Sequence, residues 1–149
     1  MIKLQLQTDL HPTEDRAIIA DLFNKFYTFS QIDLSEPNDR GVSVLSAQAE
    51  GPTALDFLFQ QVRQQRTVEA VRRHVIHRMD LNHNSSTFFL HKQALAVNRI
   101  VLCHSADESP LGPIIVTISA NDIQALIDYL FPPTKEGKVL EAEFSIDHL

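Results

Sequence analysis

Arg63–Arg99 reads RQQRTVEAVRRHVIHRMDLNHNSSTFFLHKQALAVNR, and the fold class turns on where helical spacing gives way within it to strand spacing. At about 100° per residue, Val68, Val71, Val75 and Met79 share one helical face. Just upstream, Leu55, Leu58, Phe59 and Val62 share another, rotated from it by roughly 100°. One straight helix cannot bury both stripes against one surface. The pattern predicts two helices, or one sharply kinked helix, broken at Gln64-Gln65-Arg66-Thr67, with Thr67 as a candidate N-cap for the second. Asn82–Ser86 then reads as a polar turn. Thr87–His91 reads as a strand and Val97–Cys103 as another, joined through a tight connection at Lys92-Gln93-Ala94.

Working outward, Ile2, Leu4 and Leu6 alternate with Lys3, Gln5 and Gln7, the period of a half-buried strand. Pro12-Thr13-Glu14-Asp15 is a helix start, with Thr13 as candidate N-cap and the two carboxylates set against the helix dipole rather than paired for acid–base work. Ile18, Ile19, Leu22, Phe23 and Phe26 follow as one apolar face. Residues 27–49 read as a hairpin around the turn cluster Ser35–Gly41, and Gly51-Pro52-Thr53 opens the helical region. Ile114–Ile118 is apolar enough to be a central strand. Asn121-Asp122-Ile123-Gln124 has capping-box spacing and leads a helix with Ile123, Leu126, Ile127 and Leu130 on one face, stopped by Pro132-Pro133. The order β-α-β-β-α-α-β-β-β-α predicts an α+β fold, a mainly antiparallel sheet with helices packed on it. Residues 1–138 are expected to form one domain, followed by an acidic tail at 139–149 that Leu140, Phe144 and Ile146 could help to dock.

Charge is unevenly spread. The chain carries 13 Lys and Arg against 19 Asp and Glu, a net charge of −6. Yet Arg63–Arg99 holds seven of the basic residues and only Glu69 and Asp80 as acids. Segregation of this kind concerns partners more than fold, and an anion-binding surface, above all for RNA, is the reading it favours. The single cysteine, Cys103, excludes an intrachain disulfide and fits a reducing compartment. No apolar run reaches the ~18 residues of a membrane span, and the N-terminus alternates instead of forming a leader. A cytoplasmic location is expected, with no membrane partner.

Several residues bear on chemistry. On the second helix Arg73, His74, His77 and Arg78 fall within about 140°, opposite the apolar face. They form either a solvated face, with Glu69 paired to Arg73 at i,i+4, or a set of phosphate contacts. Arg72 lies inside the apolar arc and needs an acid partner, Glu69 or another. Arg66 sits at the helix break and either fixes that junction or points outward with Arg63. Lys92 and Gln93 serve either binding or a local structural role. Phe88 and Phe89 face opposite sides of their strand; both pack in the core, or one is exposed to stack on a base. His74, His77 and His83 lack the carboxylates or further cysteines of a recognisable metal site, so no metal or cofactor is expected. No nucleophile motif or phosphate loop is present.

Five stretches together resemble an archaeal family of uncharacterised proteins described as RNA-binding-domain proteins. They are PTED at Pro12–Asp15, QRTVEAVR at Gln65–Arg72, TFFLHKQA at Thr87–Ala94, PLGPIIVTI at Pro110–Ile118 and LIDYLFPPTKEGK at Leu126–Lys138. His91 stands where the family usually has Asn, Asn98 where it tends to have Gly, and Glu69 where Asp is more usual. The resemblance implies a fold like that of the large-subunit ribosomal protein that binds 5S RNA. The resulting expectation is a non-enzymatic RNA-binding module using Arg63, Arg66, Arg73, Arg78, Lys92, Gln93 and Arg99. The alternatives are a protein-interaction module, such as a homodimer, and an enzyme acting on a small anionic metabolite.

Overall fold

The computed structural model describes residues 1–149. Its sheet is built outward from β1 (Lys3–Leu10), which pairs antiparallel with β3 (Ser43–Glu50) on one side and β7 (Ile114–Ser119) on the other. β7 in turn pairs antiparallel with β5 (Ser85–Leu90). Register places Ala47, Leu6, Val116 and Phe88 in one row across four strands, all of them buried. The neighbouring row Gln48, Gln5, Thr117 and Thr87 lies on the opposite face, because side chains alternate along each strand. The short edge strands β2 (Ile32–Leu34), β4 (Met79–Asp80) and β6 (Leu102–Cys103) complete a wholly antiparallel sheet.

One face is covered and the other is open. α1 (Arg16–Asn24), α2 (Asp56–Gln64), α3 (Val68–His77) and α5 (Ile123–Leu130) join the apolar row in a single core through Phe23, Leu58, Val62, Val71, Val75, Leu126 and Leu130. The break between α2 and α3 falls within the four residues that the two stripes predict. Arg66 takes a left-handed φ of 59°. The Thr67 N–H donates to Val62 O at 3.0 Å and the Arg66 N–H to Arg63 O at 3.1 Å. This is a Schellman closure with an arginine in the place usually held by glycine. Thr67 occupies the N-cap position of α3, but its hydroxyl donates back to Val62 O instead of capping.

Several local expectations are revised. α5 is capped by Asp122, which accepts from the Ala125 N–H at 3.0 Å, and not by Asn121, and Met79 falls in β4 beyond the end of α3. The helix start at Pro12–Asp15 is capped by Asp15, which accepts from the Ala17 N–H at 2.8 Å, and not by Thr13. Ile18 is 60% exposed and leaves the apolar face to Ile19, Leu22 and Phe23. The Lys92-Gln93-Ala94 connection is a one-turn helix, α4 (Lys92–Ala96), so only Leu102–Cys103 of the expected strand pairs with β5. β8 (Thr134–Lys135) and β9 (Lys138–Val139) form a hairpin around Glu136-Gly137, whose positive φ values suit a two-residue turn. Beyond it Ile146 and Leu149 are buried, and the Asn121 N–H donates to Leu149 O.

α4 exists because its ends are satisfied. His91 Nδ1 accepts from the Ala94 N–H at 3.2 Å, doing as N-cap what an Asn oxygen would do. Asn98, at φ 61°, closes the C-terminus with the same pair of bonds seen at Arg66, and Asn tolerates that left-handed conformation. The first residue of α4, Lys92, is 2% exposed. Its ammonium donates to Asp9 O at 2.8 Å, to Leu111 O at 2.9 Å and to both Glu14 carboxylate oxygens at 3.3 and 3.2 Å. Burial pulls its pKa below the ordinary lysine value, and Glu14 offsets part of that pull. Removing one member of such a pair leaves an uncompensated buried charge. Lys92→Met should therefore destabilise the protein by about 3–5 kcal/mol in urea unfolding, with part of the loss recovered by Glu14→Gln in the same chain.

Candidate nucleic-acid interface

The break after α2 reorients α3 so that Val68, Val71 and Val75 face the core. By helical geometry the outer face of α3 then carries Arg73, His74 and His77, with Arg78 at its C-cap. Across from that face runs β6, where alternation sends Cys103 inward and leaves the next residue, His104, exposed. Between them lies a groove of about 1010 Å³ lined by Ala70, Arg73, His74, Ile76, His77, Arg78, Leu102 and His104.

The groups that line it are held to different degrees. Arg78 donates to His104 O at 2.6 Å, which ties the two walls together, and its guanidinium lies 4.9 Å from the centre of the Phe89 ring. Phe89 thus supports a cation on the flank of the sheet, while Phe88 is buried in the core. The His74 and His104 rings are 5.3 Å apart. His74 Nε2 is buried and has no hydrogen-bond partner. Arg73 is 78% exposed and only loosely paired, 3.9 Å from Glu69. Glu108 stands behind His104 and accepts its backbone N–H at 3.1 Å. The groove is therefore lined by basic side chains, fixed on one side by Arg78, while Arg73 makes only its loose pair with Glu69.

The other candidates are placed elsewhere. Lys92 is buried in its ion pair, and its ammonium does not reach the surface. Gln93 is exposed and donates to Pro110 O at 3.0 Å. Arg63 bonds Glu141 and the carbonyls of Phe59, Leu130 and Tyr129, with its guanidinium 3.5 Å from the centre of the Phe59 ring. Arg66 shares a separate concavity with Arg63, Glu69 and Glu141. Arg99 is exposed and lines neither. Arg72 has the partner its position demands, Asp128 Oδ1 at 2.9 Å, and also donates to Phe131 O. His104 lines the groove without belonging to the basic stretch Arg63–Arg99. Its signal was the alternation that buries Cys103.

The His74 proton is disfavoured in the fold. Burial holds its pKa below the ordinary histidine value, and Arg78, His104 and His77 push the same way against a smaller opposing effect of Glu108. In the window between the lowered folded value and about 6.5, the unfolded chain binds the extra proton. Stability should thus fall as pH drops through that window. His74→Gln should flatten that part of the profile when melting temperature is followed from pH 7.5 to 5.

A family model described as RNA binding matches residues 3–120. The UPF0201 protein of Sulfurisphaera tokodaii is 34% identical over 137 residues, which cover 92% of each chain. That of Pyrobaculum aerophilum is 31% identical over 138 residues, 93% of this chain and 94% of the relative. The crystal structure of the UPF0201 protein from Methanococcus jannaschii superposes with a TM-score of 0.77 over 93% of this chain and 99% of that one. At 21% identity, that likeness is one of fold. With a family model spanning most of its length and relatives aligned almost end to end, the chain belongs to the UPF0201 family, whose model is described as RNA binding.

Proposed function

We propose that the protein is a non-enzymatic RNA-binding module whose main contact is the groove between α3 and β6. The observation that carries this is the convergence of Arg73 and Arg78 with His74, His77 and His104 on one concavity with no carboxylate in its lining. Guanidinium forks match phosphate oxygens, and the imidazoles add donors. Arg66 and Arg99, exposed outside the groove, are secondary phosphate contacts in this reading. Arg63, Lys92 and Gln93 serve the fold. A net charge of −6 opposes long-range attraction of RNA, so binding must be local and salt-sensitive. In titrations of a structured RNA, Arg73→Glu with Arg78→Glu should weaken binding by at least roughly tenfold and reduce the salt slope by roughly 1 for each phosphate no longer neutralised. Arg16→Glu with Arg40→Glu, both exposed and outside the groove, serves as the charge-matched control. Unchanged affinity in the double variant would refute the proposal.

A second reading, homo-oligomeric assembly, is favoured by the open sheet face. Gln5, Gln7, Ser46, Gln48, Ile115 and Thr117 line a shallow concavity there with Asp33 as the only charge. A second copy covering it would meet few buried ions. Light scattering should then give a dimer that Gln5→Arg plus Gln48→Arg dissociates; a monomer throughout rejects this reading.

A further inference from the structure

We infer that the α3–β6 groove is a site for a phosphate monoester, carried at the end of an RNA strand or on a free nucleotide, and that its occupation draws a proton onto His74, whose buried Nε2 has no partner in the protein. This rests on the RNA-binding reading for its first source and on the groove alone for its second.

The shape of the basic surface is the first argument. A protein that tracks a nucleic-acid backbone needs a positive channel along several nucleotides. Here the basic groups are gathered at one point: the eight lining residues include two arginines and three histidines. The next concavity, with Arg63 and Arg66, is neutralised by Glu69 and Glu141. Such a focus suits a ligand with concentrated charge. A monoester carries about −1.5 to −2 near neutral pH, whereas each internal diester carries a single charge. Ala70, Ile76 and Leu102 supply apolar wall for a sugar or base, and about 1010 Å³ is ample for one nucleotide.

The second argument is electrostatic. The groups facing His74 are Arg73, His77 and Arg78 from α3, and His104 and Glu108 from β6 and the turn after it. β5 contributes only the neutral Phe89, beneath Arg78. Burial first, and then the nearby Arg78, His104 and His77, disfavour the proton on His74. A dianion entering the groove reverses that balance. Linkage then requires proton uptake on binding, and affinity that rises as pH falls from 8 toward about 6, where the monoester itself begins to lose charge.

The test compares one oligoribonucleotide sequence bearing a 5′-phosphate, a 3′-phosphate or no terminal phosphate, together with the free nucleoside monophosphate. Calorimetry in two buffers of different ionisation heat, at pH 6.5 and 8, reads affinity and protons together. A terminal phosphate should improve affinity by about tenfold or more at pH 6.5, less at pH 8, with net proton uptake. Arg73→Gln and His104→Asn, both at exposed positions, should abolish the difference between the phosphorylated and unphosphorylated strands. Tight binding of the nucleotide alone identifies the free source. If all strands bind equally and the nucleotide does not bind, the monoester site is refuted while RNA binding stands. If the nucleotide binds and no RNA does, the site stands and the RNA-binding reading fails. If nothing binds, both fail.

Discussion

The Lys92 ammonium is where four segments of the chain meet. It takes the end of β1 through Asp9 O, the lead into α1 through Glu14, the approach to β7 through Leu111 O, and its own helix α4. A charge that is 2% exposed survives only when every donor is occupied, and here two carbonyls and a carboxylate occupy them. The backbone follows the same logic. The Lys92 N–H donates to Ser109 Oγ, and that hydroxyl donates to Gly112 O. This junction fixes where β5 ends and β7 begins, and through them the path of 97–104 to the second wall of the groove.

A polar clamp of different chemistry holds the opposite end of that path. Gln65, at the C-cap of α2, donates to Ile100 O through its amide nitrogen and accepts the Ile100 N–H through its oxygen. Gln61 donates to the same oxygen and to Asn98 O. The helix break is therefore more than a change of direction. It turns the basic face of α3 outward and pins the loop that delivers His104 to the far side. Arg78 closes the arrangement by bonding the His104 carbonyl.

Membership of a family whose model is described as RNA binding gives a class of partner, while the groove gives a place and a charge. The open sheet face is a different kind of surface, with Gln5 donating to Gln48 and Thr87 bonded to Thr117 across strands. Neutral side chains that already satisfy one another have little to offer an anion.

Periodicity and punctuation were enough to determine the α+β class, the break at Gln64–Thr67, the central position of Ile114–Ile118 and the exposure of Arg73 and His77, while His74 and Arg78 on the same arc are half-buried and His74 Nε2 is enclosed. These are local properties, set by which side chains fall on the same side of a repeating backbone. Arg72 was also legible as a charge in need of an acid, because its place in the apolar arc left no alternative. Its partner was not, since Asp128 lies on another helix, 56 residues away. The same limit governed Lys92 and Arg63. As sequence they are two more cations in a basic stretch; only the fold brings Glu14 and Glu141 to them and takes them off the surface. The tertiary structure likewise decided that His104 completes the groove, because adjacency between α3 and β6 depends on strand pairing that no local pattern encodes.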